Sequence, residues 1–182
     1  MARIYLVRHG RAAGDWGSAR DPGLDATGRE QARQTARHLR GLGPLDLVSS
    51  PLARARETAD ALAGLWHASV RIEPRVGEIP SPEPGLAERA RWLRRVMAGR
   101  WRDLDHGLHD WRDGVVSALA DLATDSVVFT HFVAINAAVG VATGDDGVVL
   151  FRPDNASVTV LENASGVLTL VEKGREAETR VV

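Results

Sequence analysis

Charged side chains follow apolar runs at two points of this sequence where a buried strand would end. The run of residues 3–7 leads directly into Arg8 and His9, and the run of residues 126–130 leads into His131. An arginine guanidinium matches a phosphate group through two parallel hydrogen bonds. A neutral imidazole is a nucleophile towards phosphorus when a hydrogen bond holds its other nitrogen. These residue types therefore predict a site for phosphoryl chemistry.

Two more candidate side chains follow the other predicted strands. Arg54 lies one turn into the helix after residues 45–49, and Glu78 lies in the loop after residues 68–74. A second histidine can donate hydrogen bonds to phosphoryl oxygens, where charge accumulates in the transition state. A carboxylic acid with a raised pKa can protonate the leaving oxygen and then act as the base for an attacking water. Together the five residues supply every group that a phosphoryl transfer needs.

The elements between these residues alternate between strand and helix. The predicted strands are residues 3–7, 45–49, 68–74 and 126–130, and the predicted helices are residues 25–43, 50–66, 86–100, 108–123 and 131–144. The tail predicts two or three hairpin strands, over residues 147–151, 156–162 and 166–173. This order is typical of an α/β protein, a three-layer α/β/α sandwich with a mostly parallel mixed sheet. Since ligands bind beyond the carboxyl ends of such strands, we expect the candidate side chains to converge there.

Local signals predict where two of the helices begin. Thr27 and Glu30 have the spacing of a capping box, in which each side chain bonds the backbone of the other residue. Ser50 is the predicted N-cap of the next helix, and Pro51 would occupy its first position, where proline is tolerated.

Length, composition and charge exclude several classes of protein. The chain of 182 residues suits a single domain over residues 1–182, and its formal net charge of −1 gives no electrostatic reason to expect a nucleic-acid partner. It contains no cysteine and no apolar stretch long enough for a membrane span, so we expect neither thiol chemistry nor a membrane partner. The start of the sequence does not resemble a secretory signal, so the expected location is cytoplasmic. Nothing in the sequence specifies an oligomeric state.

Five motifs in order carry a resemblance to a known family. The stretches "LVRHGRA", "ATGREQA", "SSPLARARETA", "RVGEIP" and "VVFTH" resemble the histidine phosphatase superfamily, the phosphoglycerate mutase-like group of phosphatases and mutases. The likeness covers residues 3–160. The triplet arginine-histidine-glycine alone is a weak signal, but the ordered set of five is specific.

The resemblance implies a role for each candidate residue. It makes His9 the nucleophile that becomes phosphohistidine and Glu78 the general acid. It makes Arg8 and Arg54 the phosphate clamp, and it places His131 against the transferring phosphoryl group. It also implies that hydrolysis uses no metal and no organic cofactor, and that the substrate is a phosphorylated small molecule or phosphoprotein.

Departures from the family pattern bear on which activity the chain has. Phe132 replaces the glycine that commonly follows the second histidine, which does not separate a phosphatase from a mutase. Two other departures favour a small phosphatase: the segment "RAAGDW" lacks the serine and asparagine of the mutases, and the segment between Glu78 and the fourth predicted strand is short. We therefore expect a metal-independent phosphatase. Three alternatives remain: a phosphoglycerate mutase-type phosphotransferase, a phosphohistidine-protein phosphatase and a catalytically weak phospho-ligand binding protein, which Phe132 would permit.

Several further residues have more than one interpretation. Glu73 and Glu83 are alternatives to Glu78, and Arg56 is an alternative to Arg54. His106 and His109 share one helix face and suit a metal pair, but no third ligand accompanies them, so two surface histidines are the favoured interpretation. Arg11 suits either the rim of the pocket or a solvated loop. Each remaining aromatic residue suits either a substrate contact or ordinary packing: Trp16, Trp92, Trp101 and Trp111.

Overall fold

A six-stranded mixed sheet runs through the centre of the protein, in a computed structural model that describes residues 1–15 and 18–178. Its strands are β1 (Ala2–Arg8), β2 (Asp46–Ser49), β3 (Val70–Ile72), β4 (Ser126–Thr130), β5 (Val158–Ala164) and β6 (Val167–Glu172). They lie in the order β3-β2-β4-β1-β5-β6. Strands β1 to β4 are parallel to one another, whereas β5 is antiparallel to β1 and β6 is antiparallel to β5. The predicted mostly parallel mixed sheet is confirmed.

Helices cover both faces of the sheet. The α-helices of the described residues are α1 (Ala26–Leu39), α2 (Ala53–Trp66), α3 (Leu86–Met97), α4 (His106–Ala120) and α5 (Phe132–Thr143). Successive strand residues point to opposite faces, so Leu47 and Val127 pack with α1 and α2, while Val48 and Val128 pack with α4 and α5. The three-layer α/β/α sandwich is confirmed. No helix in the described part of the chain has both the length and the apolar character to cross a membrane.

The first turn of α1 differs from the predicted capping box. Asp25 is the N-cap, and its side chain accepts a hydrogen bond of 2.7 Å from the Gly28 amide. Thr27 lies inside the helix, where its hydroxyl accepts a hydrogen bond from Arg11, and Glu30 pairs with Arg33. The capping-box prediction was wrong because the helix begins at Ala26, two residues earlier than a Thr27 cap would require.

The start of α2 also differs from the prediction. The helix begins at Ala53, with Leu52 at the cap position and no side-chain cap from that residue. Asp21, from the loop before α1, accepts the hydrogen bond of the Ala53 amide at 2.9 Å. Ser50 is therefore not the N-cap, and Pro51 lies before the helix.

Of the predicted tail strands, two are formed, as β5 and β6. Residues 147–151 form no strand; Gly147 makes only an isolated bridge with Arg100. The amides of Leu150 and Phe151 donate instead to the Oδ1 atom of buried Asn136, at 2.8 and 3.2 Å. A side chain of α5 thus satisfies backbone groups that a sheet neighbour would otherwise bond.

Candidate active site

The carboxyl ends of the central strands lie side by side and carry the candidate residues. Arg8 is in register with Thr130 across the parallel pair of β1 and β4, and Ser49 is in register with Phe129 across β2 and β4. The chain continues from these ends into His9, Ser50 and His131. Because the strands stop at one level, their last side chains share one edge of the sheet.

His9 is buried and held in one orientation. Its Nδ1 atom lies 2.7 Å from the Gly10 carbonyl oxygen, which can only accept, so Nδ1 carries the hydrogen. The Nε2 atom keeps its lone pair and accepts a hydrogen bond of 3.2 Å from Arg54 Nε. Burial, followed by the charges of Arg8 and Arg54, holds the pKa of His9 well below its usual value. His9 is therefore neutral, and its unprotonated Nε2 atom is directed at Arg54.

Close packing fixes the backbone beside His9. The Gly10 amide donates a 3.0 Å hydrogen bond to the Thr58 hydroxyl, which in turn donates to the Arg54 carbonyl oxygen at 2.7 Å. A Cβ atom on Gly10 would lie 2.5 Å from the carbonyl oxygen of Gly28 in α1. Only glycine allows the loop after β1 to lie this close to the helix. Helices α1 and α2 therefore both position the histidine.

Arg8 is held by a carbonyl oxygen and an aromatic ring. Its Nη1 atom donates a 2.9 Å hydrogen bond to the Pro153 carbonyl oxygen, and its Cζ atom lies 5.2 Å from the centroid of the Phe132 ring. Burial lowers the pKa of Arg8 to about 10, so the guanidinium is still charged at neutral pH. Its Nε atom is buried with no hydrogen-bond partner in the described residues.

Arg54 is buried within α2, whereas Arg56 is exposed. This contrast favours Arg54 as the functional residue of the two. Arg54 Nη2 lies 3.5 Å from Glu78 Oε2 and has no hydrogen-bond partner in the part of the chain that the structure describes. Arg54 Nη1 lies 3.8 Å from Asp21 Oδ1. The buried donors of Arg8 and Arg54 are suited to the oxygens of a phosphate group.

Glu78 lies between Arg54 and His131. Its side chain is 3% exposed; Oε1 accepts a 3.1 Å hydrogen bond from the Ile79 amide, and Oε2 lies 3.6 Å from His131 Nδ1. Burial raises the pKa of Glu78, against the opposing charge of Arg54. A carboxyl group that holds its proton is suited to general acid catalysis.

The alternative carboxylates lack this environment. Glu73 pairs with Arg75, mainly through a side-chain hydrogen bond, which lowers the pKa of Glu73 to about 2 and keeps it ionised. Glu83 has no ion pair with Arg8 or Arg54 among the described residues. The geometry thus favours Glu78 over both as the general acid.

His131 is fully buried at the end of β4. Its Nε2 atom lies 2.7 Å from the Ser50 hydroxyl, and its ring centroid lies 5.2 Å from that of His9. Burial, followed by His9 and Arg54, holds the pKa of His131 well below its usual value. Its Nδ1 atom is buried and has no hydrogen-bond partner among the described residues.

Sequence reasoning missed two contributors to this site. Ser50 contacts His131 instead of capping a helix, and no sequence signal separates these two roles. Arg89 of α3 is half-buried, and its positive charge lowers the pKa values of Glu78, Arg54 and His131. Its spacing of four residues before buried Leu93 would have placed it on the inner face of the helix.

Other candidate residues lie away from the site or have packing roles. Arg11 is exposed and pairs with Asp25. The His106 and His109 rings are 6.3 Å apart, and no group of three or more histidine, cysteine or acidic side chains in the described ranges could hold a metal ion. Trp16 lies outside the described residues. Three tryptophans pack in an apolar cluster beside the site, namely Trp92, Trp101 and Trp111.

Among curated proteins, the chain is similar to bacterial mutases over part of their length. A probable phosphoglycerate mutase GpmB of Erwinia tasmaniensis is 36% identical over 85 residues, covering 43% of this chain and 39% of that protein. The protein of the same name from Salmonella paratyphi C is 31% identical over 120 residues, covering 62% of this chain and 54% of that protein. The chain thus spans only about half of these relatives.

Solved structures resemble the fold over nearly the whole chain. A mycobacterial glucosyl-3-phosphoglycerate phosphatase in complex with VO3 has a TM-score of 0.74 and 23% identity, covering 98% of this chain and 100% of that one. A phosphoserine phosphatase from Entamoeba histolytica, in complex with 3-phosphoglyceric acid, has a TM-score of 0.74 and 22% identity, covering 98% of each chain.

A family model matches nearly the whole sequence. It describes the histidine phosphatase superfamily (branch 1) and matches residues 4–175. This range contains all five candidate residues and all six strands except the first residues of β1. The chain belongs to the histidine phosphatase superfamily, branch 1, as its five ordered motifs predicted.

Proposed function

We propose that this protein is a metal-independent phosphatase that hydrolyses phosphomonoesters through a phosphohistidine on His9. The observation that carries the proposal is the state of His9. A carbonyl oxygen holds its Nδ1–H at 2.7 Å, and burial keeps the ring neutral, so the Nε2 lone pair is available beside Arg54. Membership of the histidine phosphatase superfamily supports the same activity.

In the first step, His9 Nε2 attacks phosphorus and a P–N bond forms while the P–O bond to the leaving group breaks. Glu78 gives its proton to the leaving oxygen. Arg8, Arg54 and His131 stabilise the charge on the three other phosphoryl oxygens. The attack needs an unprotonated nitrogen and the departure needs a protonated acid, and burial favours both states.

In the second step, water attacks phosphorus and the P–N bond breaks, returning its electron pair to His9 Nε2. The Glu78 carboxylate accepts the proton of the water and is restored as the acid. Arg54, 3.5 Å from Glu78 Oε2, stabilises this carboxylate between the two steps. Neither step requires a metal ion or an organic cofactor.

The proposed substrates are small phosphorylated acids. Arg89 adds a positive charge at the edge of the site, where it acts on Glu78 and Arg54. A second anionic group on the substrate would be attracted to it. One structure with the same fold is named as a phosphoserine phosphatase in complex with 3-phosphoglyceric acid. Phosphoserine and 3-phosphoglyceric acid each carry a carboxylate beside the phosphate group.

A phosphoglycerate mutase is the second candidate. Curated proteins of that name match this chain over 39% and 54% of their length. A mutase keeps a long-lived phosphoenzyme and depends on a bisphosphate primer. A phosphatase transfers the group to water without a primer. The short segment between Glu78 and β4 favours the phosphatase, since it leaves less chain to cover the phosphoenzyme.

The test is turnover on p-nitrophenyl phosphate, a panel of phosphorylated metabolites and one phosphohistidine peptide. We expect hydrolysis that resists a chelator, needs no bisphosphate and is lost in His9→Ala. His38→Ala is the matched control, since His38 is exposed on α1. Wild-type activity in His9→Ala, or loss of activity with the chelator, would overturn the proposal.

A further inference from the structure

Ser50 is a fully buried residue whose hydroxyl contacts the second histidine. Its backbone is fixed, because its amide donates to the Phe129 carbonyl oxygen at 3.0 Å and its carbonyl oxygen accepts from the Ser49 hydroxyl at 2.9 Å. Its Oγ atom lies 3.3 Å from the Leu52 amide nitrogen and 2.7 Å from His131 Nε2.

The hydrogens at this hydroxyl can be assigned from its two neighbours. The Leu52 amide can only donate, so Ser50 Oγ accepts in that contact. The hydroxyl hydrogen then has one acceptor within reach among the described residues, which is His131 Nε2. A nitrogen that accepts a hydrogen bond carries a lone pair, so Nε2 is unprotonated. A neutral imidazole with an unprotonated Nε2 carries its hydrogen on Nδ1.

The Nδ1 atom of His131 faces the candidate site. It is buried without a hydrogen-bond partner in the described ranges, and it lies 3.6 Å from Glu78 Oε2. The His9 ring is adjacent, with 5.2 Å between the two centroids. A hydrogen on Nδ1 gives the site a donor for phosphoryl oxygens, whereas the opposite tautomer would present them with a lone pair.

We propose that Ser50 is a positioning residue that holds neutral His131 as the Nδ1–H tautomer, so that His131 meets the transferring phosphoryl group as a hydrogen-bond donor. The assignment of the tautomer rests on contacts within the protein, and only its use in catalysis rests on the proposed function. Burial keeps His131 neutral, so only one of its two ring nitrogens carries a hydrogen. The tautomer therefore decides whether Nδ1 presents a donor or a lone pair to the site.

The competing arrangement has definite costs. If His131 carried its hydrogen on Nε2, the Ser50 oxygen would accept from both Leu52 and His131. Its own hydrogen would then have no acceptor among the described residues, in a place where water does not reach Ser50. A buried hydroxyl hydrogen without an acceptor is unfavourable.

The direct test is nitrogen NMR of the full chain labelled with 15N at the histidine rings. The His131 signals are identified by their loss in His131→Asn. In the wild type we expect an Nδ1 resonance typical of a protonated nitrogen and an Nε2 resonance typical of an unprotonated one. In Ser50→Ala the hydrogen-bond donor to Nε2 is gone, so the Nε2–H tautomer should gain population. The Nε2–H tautomer in the wild type overturns the proposal, whether or not Ser50→Ala folds.

Kinetics give a second readout. On p-nitrophenyl phosphate, Ser50→Ala should lower kcat about 10- to 1000-fold, the upper value being that of a lost transition-state donor, with little change in KM. Ser126→Ala is the matched control, because Ser126 is equally buried but its hydroxyl donates to the Thr124 carbonyl oxygen at the opposite end of β4, and this variant should stay near wild type. Ser50→Thr should restore part of the rate. Equal losses in Ser50→Ala and Ser126→Ala would contradict the proposal.

The two proposals fail in different ways. A wild type that hydrolyses no phosphate but shows the Nδ1–H tautomer would overturn the proposed function and leave the assignment of Ser50 intact. An active wild type with the Nε2–H tautomer would overturn the assignment of Ser50 and leave the proposed function intact.

Discussion

The guanidinium of Arg8 lies over the ring of Phe132, with 5.2 Å between Cζ and the ring centroid. Phe132 is the first residue of α5, directly after His131, and it is buried. The ring occupies the place where the family pattern has glycine. It supplies a π face to a buried cation that also donates a hydrogen bond to the Pro153 carbonyl oxygen. The departure from the pattern is therefore compatible with phosphate binding.

Replacing Phe132 should weaken anion binding, whereas replacing another buried phenylalanine should not. Cation–π contacts contribute about 0.5–2 kcal/mol, so Phe132→Leu should raise the inhibition constant of vanadate about 2- to 30-fold. Phe129→Leu is the control, since Phe129 is equally buried but packs against α1 and α2. Both variants should lose similar stability in urea. Equal vanadate constants in the two variants would show that the Phe132 ring does not assist Arg8.

The contact between the loop after β1 and α1 should depend on glycine. A Cβ atom on Gly28 would collide with the backbone of Arg11, so Gly28→Ala should lower the free energy of unfolding by about 2–4 kcal/mol. Gly64→Ala, in α2 with open space around it, should instead raise that free energy by about 0.5–1 kcal/mol. Urea unfolding of the two variants measures both changes. An unchanged free energy of unfolding in Gly28→Ala would contradict the close contact between Gly28 and the Arg11 backbone.

The pH profile should report the ionisation of Glu78. The proposed mechanism requires neutral His9, whose pKa is lowered below 6.5, and protonated Glu78, whose pKa is raised above 4.5. The rate should therefore fall as pH decreases through the pKa of His9, and fall as pH rises through that of Glu78. Glu78→Gln should lower kcat on alkyl phosphates about 100- to 10,000-fold.

Substrate ionisation is the same for wild type and variant, so their comparison isolates Glu78. The alkaline limb of kcat/KM should disappear in Glu78→Gln and persist in Glu83→Gln. An unchanged alkaline limb in Glu78→Gln would assign the acid to another group.

Arg89 should distinguish substrates by their second charge. Arg89→Gln should lower kcat/KM for 3-phosphoglycerate and phosphoserine about tenfold more than for p-nitrophenyl phosphate, which has no second anionic group. Arg91→Gln is the control, because Arg91 lies on the same helix but is exposed and pairs with Glu88. Equal losses on all three substrates would remove Arg89 from substrate selection.

Most of the fold was predictable from the alternation of apolar strands and amphipathic helices. The strand residues 3–7 and 126–130 lie within or coincide with β1 and β4, since their apolar runs are short, β-branched and bounded by polar residues. The errors arose where tertiary contacts replaced local ones. Asp21 bonds the first amide of α2 across the chain, and Asn136 bonds amides that were expected in a strand.

The candidate site was predictable to the extent that each residue follows a strand. Arg8, His9 and His131 end parallel strands, so topology alone brings them to one edge. The hydrogen-bond partner of Ser50 was not predictable, because a serine after a strand can either cap the next helix or contact a histidine ring. Arg89 was not predicted because none of the five motifs contains it, although its spacing before buried Leu93 indicates the inner face of α3.

Trapping the covalent intermediate tests the central claim most directly. Glu78→Gln removes the proposed base for hydrolysis, so it should accumulate phosphoenzyme when mixed with p-nitrophenyl phosphate, whose leaving group needs no proton. After an alkaline quench, mass spectrometry should find one acid-labile phosphoryl group on His9, and none when His9→Ala is added to the variant. Release of p-nitrophenol by Glu78→Gln without protein-bound phosphate, or a phosphoryl group on another residue, would contradict the account.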